Sequence, residues 1–137
     1  MAMIDGMLQE LEQEAQTTRR VLERVPDDRL TWRPHERART LGDPSPSSVA
    51  ELIPALQQSV AKAKNVLGGM NDADLMATWR MMRGDRELFA VPRAAILRSV
   101  MLNHWYHHRG QLTVYLRQLG VPVPSIYGPS ADENPFA

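Results

Sequence analysis

Ile4, Leu8, Leu11, Ala15, Thr18, Leu22 and Val25 recur at spacings of four and three. That is one apolar stripe on an amphipathic helix, with Glu10, Glu12, Glu14, Arg19, Arg20 and Glu23 on the other faces. Pro26 ends the pattern, so the first helix is placed at residues 3–24. Residues 26–48 hold four prolines and little periodicity, and "GDPSPSS" marks a break. Leu30, Trp32 and Leu41 are the side chains in this stretch that can pin a loop to a core.

Periodicity resumes at Ser48. "SVAE" reads as a capping box of Ser48 and Glu51. Val49, Leu52, Ile53, Leu56, Val60, Ala63 and Leu67 form the stripe of a second helix, loosened at entry by Pro54 and stopped at Gly68-Gly69. Asn71 caps a short helical turn, "DADLMATW". Residues 79–91 alternate in part around Arg83-Gly84-Asp85, which predicts a small hairpin with a turn at that triplet or an extended loop. Pro92 opens the longest pattern, Arg93 to Leu119, and Gly120 and Pro122 close it. Its stripe is Ile96, Leu97, Val100, Met101, Trp105, Leu112, Tyr115, Leu116 and Leu119. The Pro-rich end, "PVPSIYGPSADENPFA", is read as extended chain laid over the bundle through Ile126 and Tyr127. The expectation is one all-α domain over 1–137, an up-and-down bundle of three long helices with a hairpin-like excursion before the last.

Composition narrows the function classes. Sixteen basic residues balance sixteen acidic ones, so no net field points to nucleic acid or to an anionic membrane surface. The absence of cysteine removes disulfides, a cysteine nucleophile and any thiolate metal site. The first residues, "MAMIDGMLQELEQEAQ", carry no apolar core of a signal peptide. No run approaches the ~18 apolar residues of a membrane span. A soluble cytoplasmic protein is expected.

Chemistry concentrates in "NHWYHHRGQL", where three of the four histidines fall within five positions. His104 and His108 differ by about 40° around a helix and lie one turn apart, the spacing by which one helix gives two nitrogens to one metal. They fall inside the apolar stripe, so both rings are expected to point toward the core. His107 points about 100° away from His108. Gly110, at a cost of about 1 kcal/mol relative to Ala, implies a close approach to the backbone. Arg109 and Gln111 are positioned to bond ligands or a carboxylate substrate, and either Trp105 or Tyr106 can line the same space. Histidines that only bond core carbonyls, and a general base without a metal, are the alternatives. HExxH is absent, because position 105 is Trp. His35, in "RPHERAR", reads as a solvated loop residue.

"LRSVMLNHWYHHRGQLTVYLRQLGVPVPSIYGPSADE" closely resembles the last helix and tail of the DinB-like (damage-inducible) superfamily of four-helix bundles. "LQELEQEAQTTRRVLERVPDDRLTWRPHERARTLGD" is similar to that family's first helix and loop, and "NDADLMATWRMMRGDRELFAVPRAAIL" to its β-like excursion. The resemblance implies one divalent metal, usually nickel or zinc, held by three histidines, two of them His104 and His108 here. It also implies metal-dependent transferase or isomerase chemistry on small-molecule thiols, known for some relatives.

One departure is large. Gly42-Asp43 should lead to a second helix bearing the first metal histidine. Instead the chain runs through Pro44-Ser45-Pro46 into "SVAELIPALQQSVAKAKNVL", which resembles the family's third helix. No histidine lies between His35 and His104. The chain reads as a shortened or engineered member in which the site is impaired. The alternative is a non-catalytic helical scaffold or interaction protein with remnant histidines. Loss of a helix uncovers apolar stripes, and a homodimer is the simplest cover.

Overall fold

The computed structural model describes residues 1–43 and 46–137. Pro44 and Ser45, part of the predicted break, lie outside the described residues. The first helix, α1, spans Met3–Leu22. Asp5 accepts the Ala2 amide and Asp72 accepts the Met3 amide, each at 2.9 Å, which satisfies free donors of the first turn. Its buried positions are Ile4, Leu11, Thr18 and Val21. The helix stops two residues before the expected end. The Arg24 and Val25 amides reach back only three residues, to Val21 and Leu22, and the chain tightens ahead of Pro26.

The loop that follows folds on itself. The Leu41 amide donates to the Trp32 carbonyl at 2.8 Å and the Gly42 amide to the Leu30 carbonyl at 2.9 Å. A Cβ at Gly42 would meet Leu30 Cβ at 3.1 Å, so a side chain there would push the crossing apart. Trp32 meets the Tyr115 ring edge-on at 5.6 Å, docking the loop on the last helix as its apolar content predicted.

The second helix starts later than Ser48. A 3₁₀ turn at Val49–Glu51 leads into α2, Leu52–Gly68. The predicted Ser48 cap is not made. The Glu51 carboxylate instead accepts from the Ser47 hydroxyl at 2.5 Å and the Ser47 amide at 3.2 Å. Pro54 accounts for the shift. In a helix begun at Val49, residue 54 would owe an amide to the carbonyl four back. Begun at Leu52, the helix holds Pro54 in its first turn, where no amide is required.

Asn71 caps α3, Asp72–Met76, through a reciprocal pair of 3.0 Å bonds with Asp74. The hairpin forms as predicted: β1, Thr78–Arg83, pairs antiparallel with β2, Arg86–Pro92, around Gly84 at φ +58°. The last helix is a continuous rod of α4, Arg93–Ile96, a π-helical segment, Leu97–Leu102, and α5, Asn103–Gln118.

Two core clusters lie along α1. One gathers Ile4, Leu11, Leu67, Leu75 and Leu102, and the other Val21, Val25, Leu116 and Val123. Val123 belongs to the tail, which is tied down more firmly than two side chains could manage. Glu133 accepts from Arg20, from Arg24 and from the Ser125 amide, while Asp132 accepts from Arg117 and the Val123 amide. Ile126 packs on the second cluster as expected; the Tyr127 ring stays largely exposed while its hydroxyl is bound. No helix among the described residues is long and apolar enough to cross a membrane.

Candidate metal site

The rotational phase of the last helix decides what its histidines face. The Asn103 amide donates to the Arg98 carbonyl, five residues back, rather than to residue 99. Such a π turn accommodates one extra residue, and everything after it is displaced by about one position, ~100° around the rod. The predicted stripe holds in part: Leu116 is fully buried, and Leu97, Met101, Trp105 and Leu112 pack on the two core clusters. Leu102, Tyr106 and Arg109, which the pattern left out of the stripe, are also directed at α1 and the tail, beside Met101, Trp105 and His108. Val100, expected in the stripe, is 54% exposed. His104 and His108 are consequently exposed rather than core-facing. Gly110 is exposed too, and a Cβ added there would meet no atom within 4 Å, so the close approach expected at its backbone is not made.

The pair is nevertheless well arranged. His104 Nε2 and His108 Nε2 stand 2.8 Å apart, with ring centroids 4.5 Å apart. Two nitrogens each ~2.0–2.1 Å from one tetrahedral zinc-like ion stand about 3.3 Å apart, so the 2.8 Å contact is a hydrogen bond that would open by about half an ångström for the pair to share a cation. Gln111, one turn on, places its amide oxygen 2.9 Å from His108 Nδ1. With a proton on Nδ1 donated to that oxygen, Nε2 of His108 accepts from the Nε2–H of His104; it is the tautomer a metal would also require. His107 stands edge-on to His108 at 5.2 Å and is exposed. His35 sits in the loop, its Nδ1 accepting the Arg37 amide at 3.2 Å. Among the described residues no group of three or more His, Cys, Asp or Glu is disposed to hold a metal ion. The donor set of one chain is therefore two imidazoles, short of a three-histidine site.

Arg109, in sequence a possible substrate-binding residue, has a structural setting. Its guanidinium is buried, pairs with the Glu14 carboxylate at 2.5 Å, and donates to Thr18 Oγ1 at 3.2 Å and the Tyr127 hydroxyl at 2.6 Å. It lies against the Tyr106 and Tyr127 rings, about 5 Å from each centroid. Tyr106 in turn donates to Glu10 at 2.7 Å, and Arg98 grips the same carboxylate at 2.5 and 2.7 Å. Burial, then the Glu10 carboxylate, holds the Tyr106 phenol protonated well above the usual tyrosine range. In the sequence Glu10 and Glu14 read as solvated. Their partners lie 96 and 95 residues away, and only the four-residue spacing of the two carboxylates hinted at a shared face.

These carboxylates make stability sensitive to acid. Arg98 holds Glu10 below its ordinary value near 4.5; Arg117 does so for Asp132, and the Ser125 amide with Arg20 and Arg24 for Glu133. The unfolded chain therefore binds protons at a higher pH than the folded one. Their contribution is complete above the ordinary carboxylate range and is lost as pH falls through the depressed folded values. The urea midpoint should drop as pH falls through and below the ordinary carboxylate values, 4.5 for Glu and 3.8 for Asp. A midpoint unchanged over that window would contradict this assignment.

Beside the histidines the molecule is open. His108, Gln111, Leu112 and Tyr115 border a cavity of about 350 Å³ against Arg39 and Asp43. A second, of about 450 Å³, runs between α1, α2 and the last helix; Leu11, Leu22, Leu56, Val60, Met101 and Trp105 line it, and the hydroxyls of Thr18 and Ser59 are its polar groups. Trp105 thus faces this apolar groove, which neither His104 nor His108 lines.

A model of the DinB family matches residues 53–135, from the first turn of α2 into the tail. An uncharacterized protein of Bacillus subtilis (strain 168), YrdA, is 46% identical over 43 residues, 31% of this chain. The match spans a quarter of that relative's length (25%). A DinB-like protein from Bacillus cereus ATCC 10987 has a crystal structure that superposes with a TM-score of 0.73 at 24% identity, over 90% of this chain and 97% of that one. At that identity the likeness is one of fold.

Proposed function

We propose, from the premise that this chain belongs to the DinB family, whose model matches more than half of its length, that it chelates a divalent transition metal through His104 and His108. Nickel and zinc are the candidates, because both suit neutral imidazole. The observation that carries the reading is the 2.8 Å approach of the two Nε2 atoms, with His108 oriented by Gln111. A catalytic zinc-type centre takes three protein ligands and keeps one position open for water or substrate. The described residues of one chain offer two, so the full family site does not fit, and no transferase or isomerase step on a thiol or carboxylate substrate is assigned. Arg109, engaged by Glu14, is not free for a substrate carboxylate either.

Isothermal titration with Ni²⁺ and with Zn²⁺ tests the reading. The wild-type chain should give a saturable heat that the His104→Ala/His108→Ala variant lacks. Equal binding by both proteins would remove these residues as ligands. The second reading is a non-catalytic helical scaffold. It is favoured by the way His104, His108 and Gln111 already satisfy one another without a metal. Mass-spectrometric metal content of the purified protein separates the two: stoichiometric metal supports chelation, and none supports the scaffold.

A further inference from the structure

We infer that the open groove of this chain binds a long-chain primary amine as its ammonium cation, with the alkyl chain beside Trp105 and the charged head at Asp43 and Glu51. The inference goes beyond the chelation reading and uses neither His104 nor His108. Two cavities that share Leu22, Leu52 and Ala55 as walls make up the groove. The one beside Trp105, about 450 Å³, carries no charged side chain and has Leu56, Val60 and Met101 among its walls. Its α2 wall runs from Leu52 to Ala63, about 16 Å at ~1.5 Å per residue. The other, about 350 Å³, sets Leu30, Leu41 and Leu112 beside two carboxylates, Asp43 and Glu51. Apolar walls with a few polar groups at one place are the pattern of a small-molecule site.

Charge selects the occupant. Among the described residues no lysine, arginine or histidine lines either cavity. Glu51 accepts from the Ser47 hydroxyl at 2.5 Å and the Ser47 amide at 3.2 Å, neutral donors that leave its negative charge uncompensated. Asp43 has a side chain 36% exposed, and Arg39 Nε stands 4.0 Å from it, beyond hydrogen-bond reach, on a side chain 73% exposed. A cationic head placed here meets two anions and no cation of the walls. A neutral head would strip water from the carboxylates without replacing their charge partner, and an anionic head would be repelled. An aliphatic amine titrates as lysine does, near ~10.4, so it is cationic at neutral pH and offers three N–H donors. The chain's formal net charge of zero draws in no cations at large, so preference for an amine is a property of this groove.

The experiment is isothermal titration and equilibrium dialysis at neutral pH with n-decylamine, and with decan-1-ol and decanoate as controls of the same length. Decylamine should bind saturably, one per chain. Decan-1-ol should bind about tenfold more weakly or worse, and decanoate not measurably. Shortening the amine to hexylamine should weaken it by up to about fourfold per methylene removed. Asp43→Asn/Glu51→Gln should reduce decylamine to the affinity of decan-1-ol and leave decan-1-ol unchanged, a split that loss of structure would not produce. Ala55 is exposed on α2 where the two cavities meet, so Ala55→Trp should fill the groove and weaken amine and alcohol together. Circular dichroism checks the helicity of each variant. Equal affinity of the wild type for amine, alcohol and carboxylate would overturn the inference. So would unsaturable uptake of many amines per chain, or no binding of decylamine at all. None of these outcomes touches metal chelation by His104 and His108.

Discussion

Glu14→Ala should lower the stability of the fold by about 3–5 kcal/mol, the usual cost of removing one partner from a buried ion pair. Its partner, Arg109, has a side chain only 2% exposed, while Glu14 is at 13%, so the guanidinium left behind cannot recover its hydration. Thr18 Oγ1, the Glu14 carbonyl and the Tyr127 hydroxyl would still accept hydrogen bonds, but none carries a charge. Against the roughly 5–15 kcal/mol of an ordinary domain, the loss is large enough to populate unfolded chain. Urea denaturation measures it. The double variant Glu14→Leu/Arg109→Met should regain most of the loss, because replacing both charges by apolar groups removes the desolvation cost as well. A midpoint for Glu14→Ala within error of wild type would mean that water reaches Arg109.

Truncation after Gly120 should abolish cooperative unfolding. The tail delivers Val123 to the second core cluster, and burial of such a side chain is worth roughly 1.5–3 kcal/mol. Its removal also uncovers Val21 and Leu116, both fully buried in the intact chain. It strips Arg20, Arg24 and Arg117 of Glu133 and Asp132, and takes the Tyr127 hydroxyl from Arg109. The core left behind is small for 120 residues, and apolar groups once shared between helix and tail would face water. Thermal unfolding followed by circular dichroism should show a broad, shallow decay where the full chain gives a sigmoid. A sharp transition within a few degrees of wild type would show that the tail is ornamental to the fold.

Helices, hairpin and the histidine pair were legible because each rests on a local rule: 3.6-residue spacing, alternation about a Gly turn, and i,i+4 neighbours. What was not legible is where one local geometry depends on another. The π turn at Leu97–Leu102 leaves no mark in the hydrophobic pattern, yet it adds a residue to the turn just before α5, on which Arg109 is buried and His104 and His108 are exposed. The start of α2 could have been read, since Pro54 fixes which turn can be the first; the Ser48 box was simply the more familiar signal. The Arg109–Glu14 pair joins residues 95 apart in sequence, and only tertiary packing brings them together.

The hairpin has a consequence for how copies of this chain can go wrong. A sheet of two strands has no interior strand, so both β1 and β2 turn a row of unpaired backbone groups outward. The same arm exposes Met81, Met82, Leu88 and Phe89 at 40–50%. Apolar edges of this kind recruit further strands, and a chain of zero net charge has little long-range repulsion to keep them apart. Arg80, Arg83, Arg86 and Glu87 are interleaved among these residues, and the irregular register between Met81 and Met82 interrupts the flat ladder. Charges and a bulge on an edge are the devices by which sheets refuse a third strand. The arm thereby discourages edge-to-edge stacking of its strands.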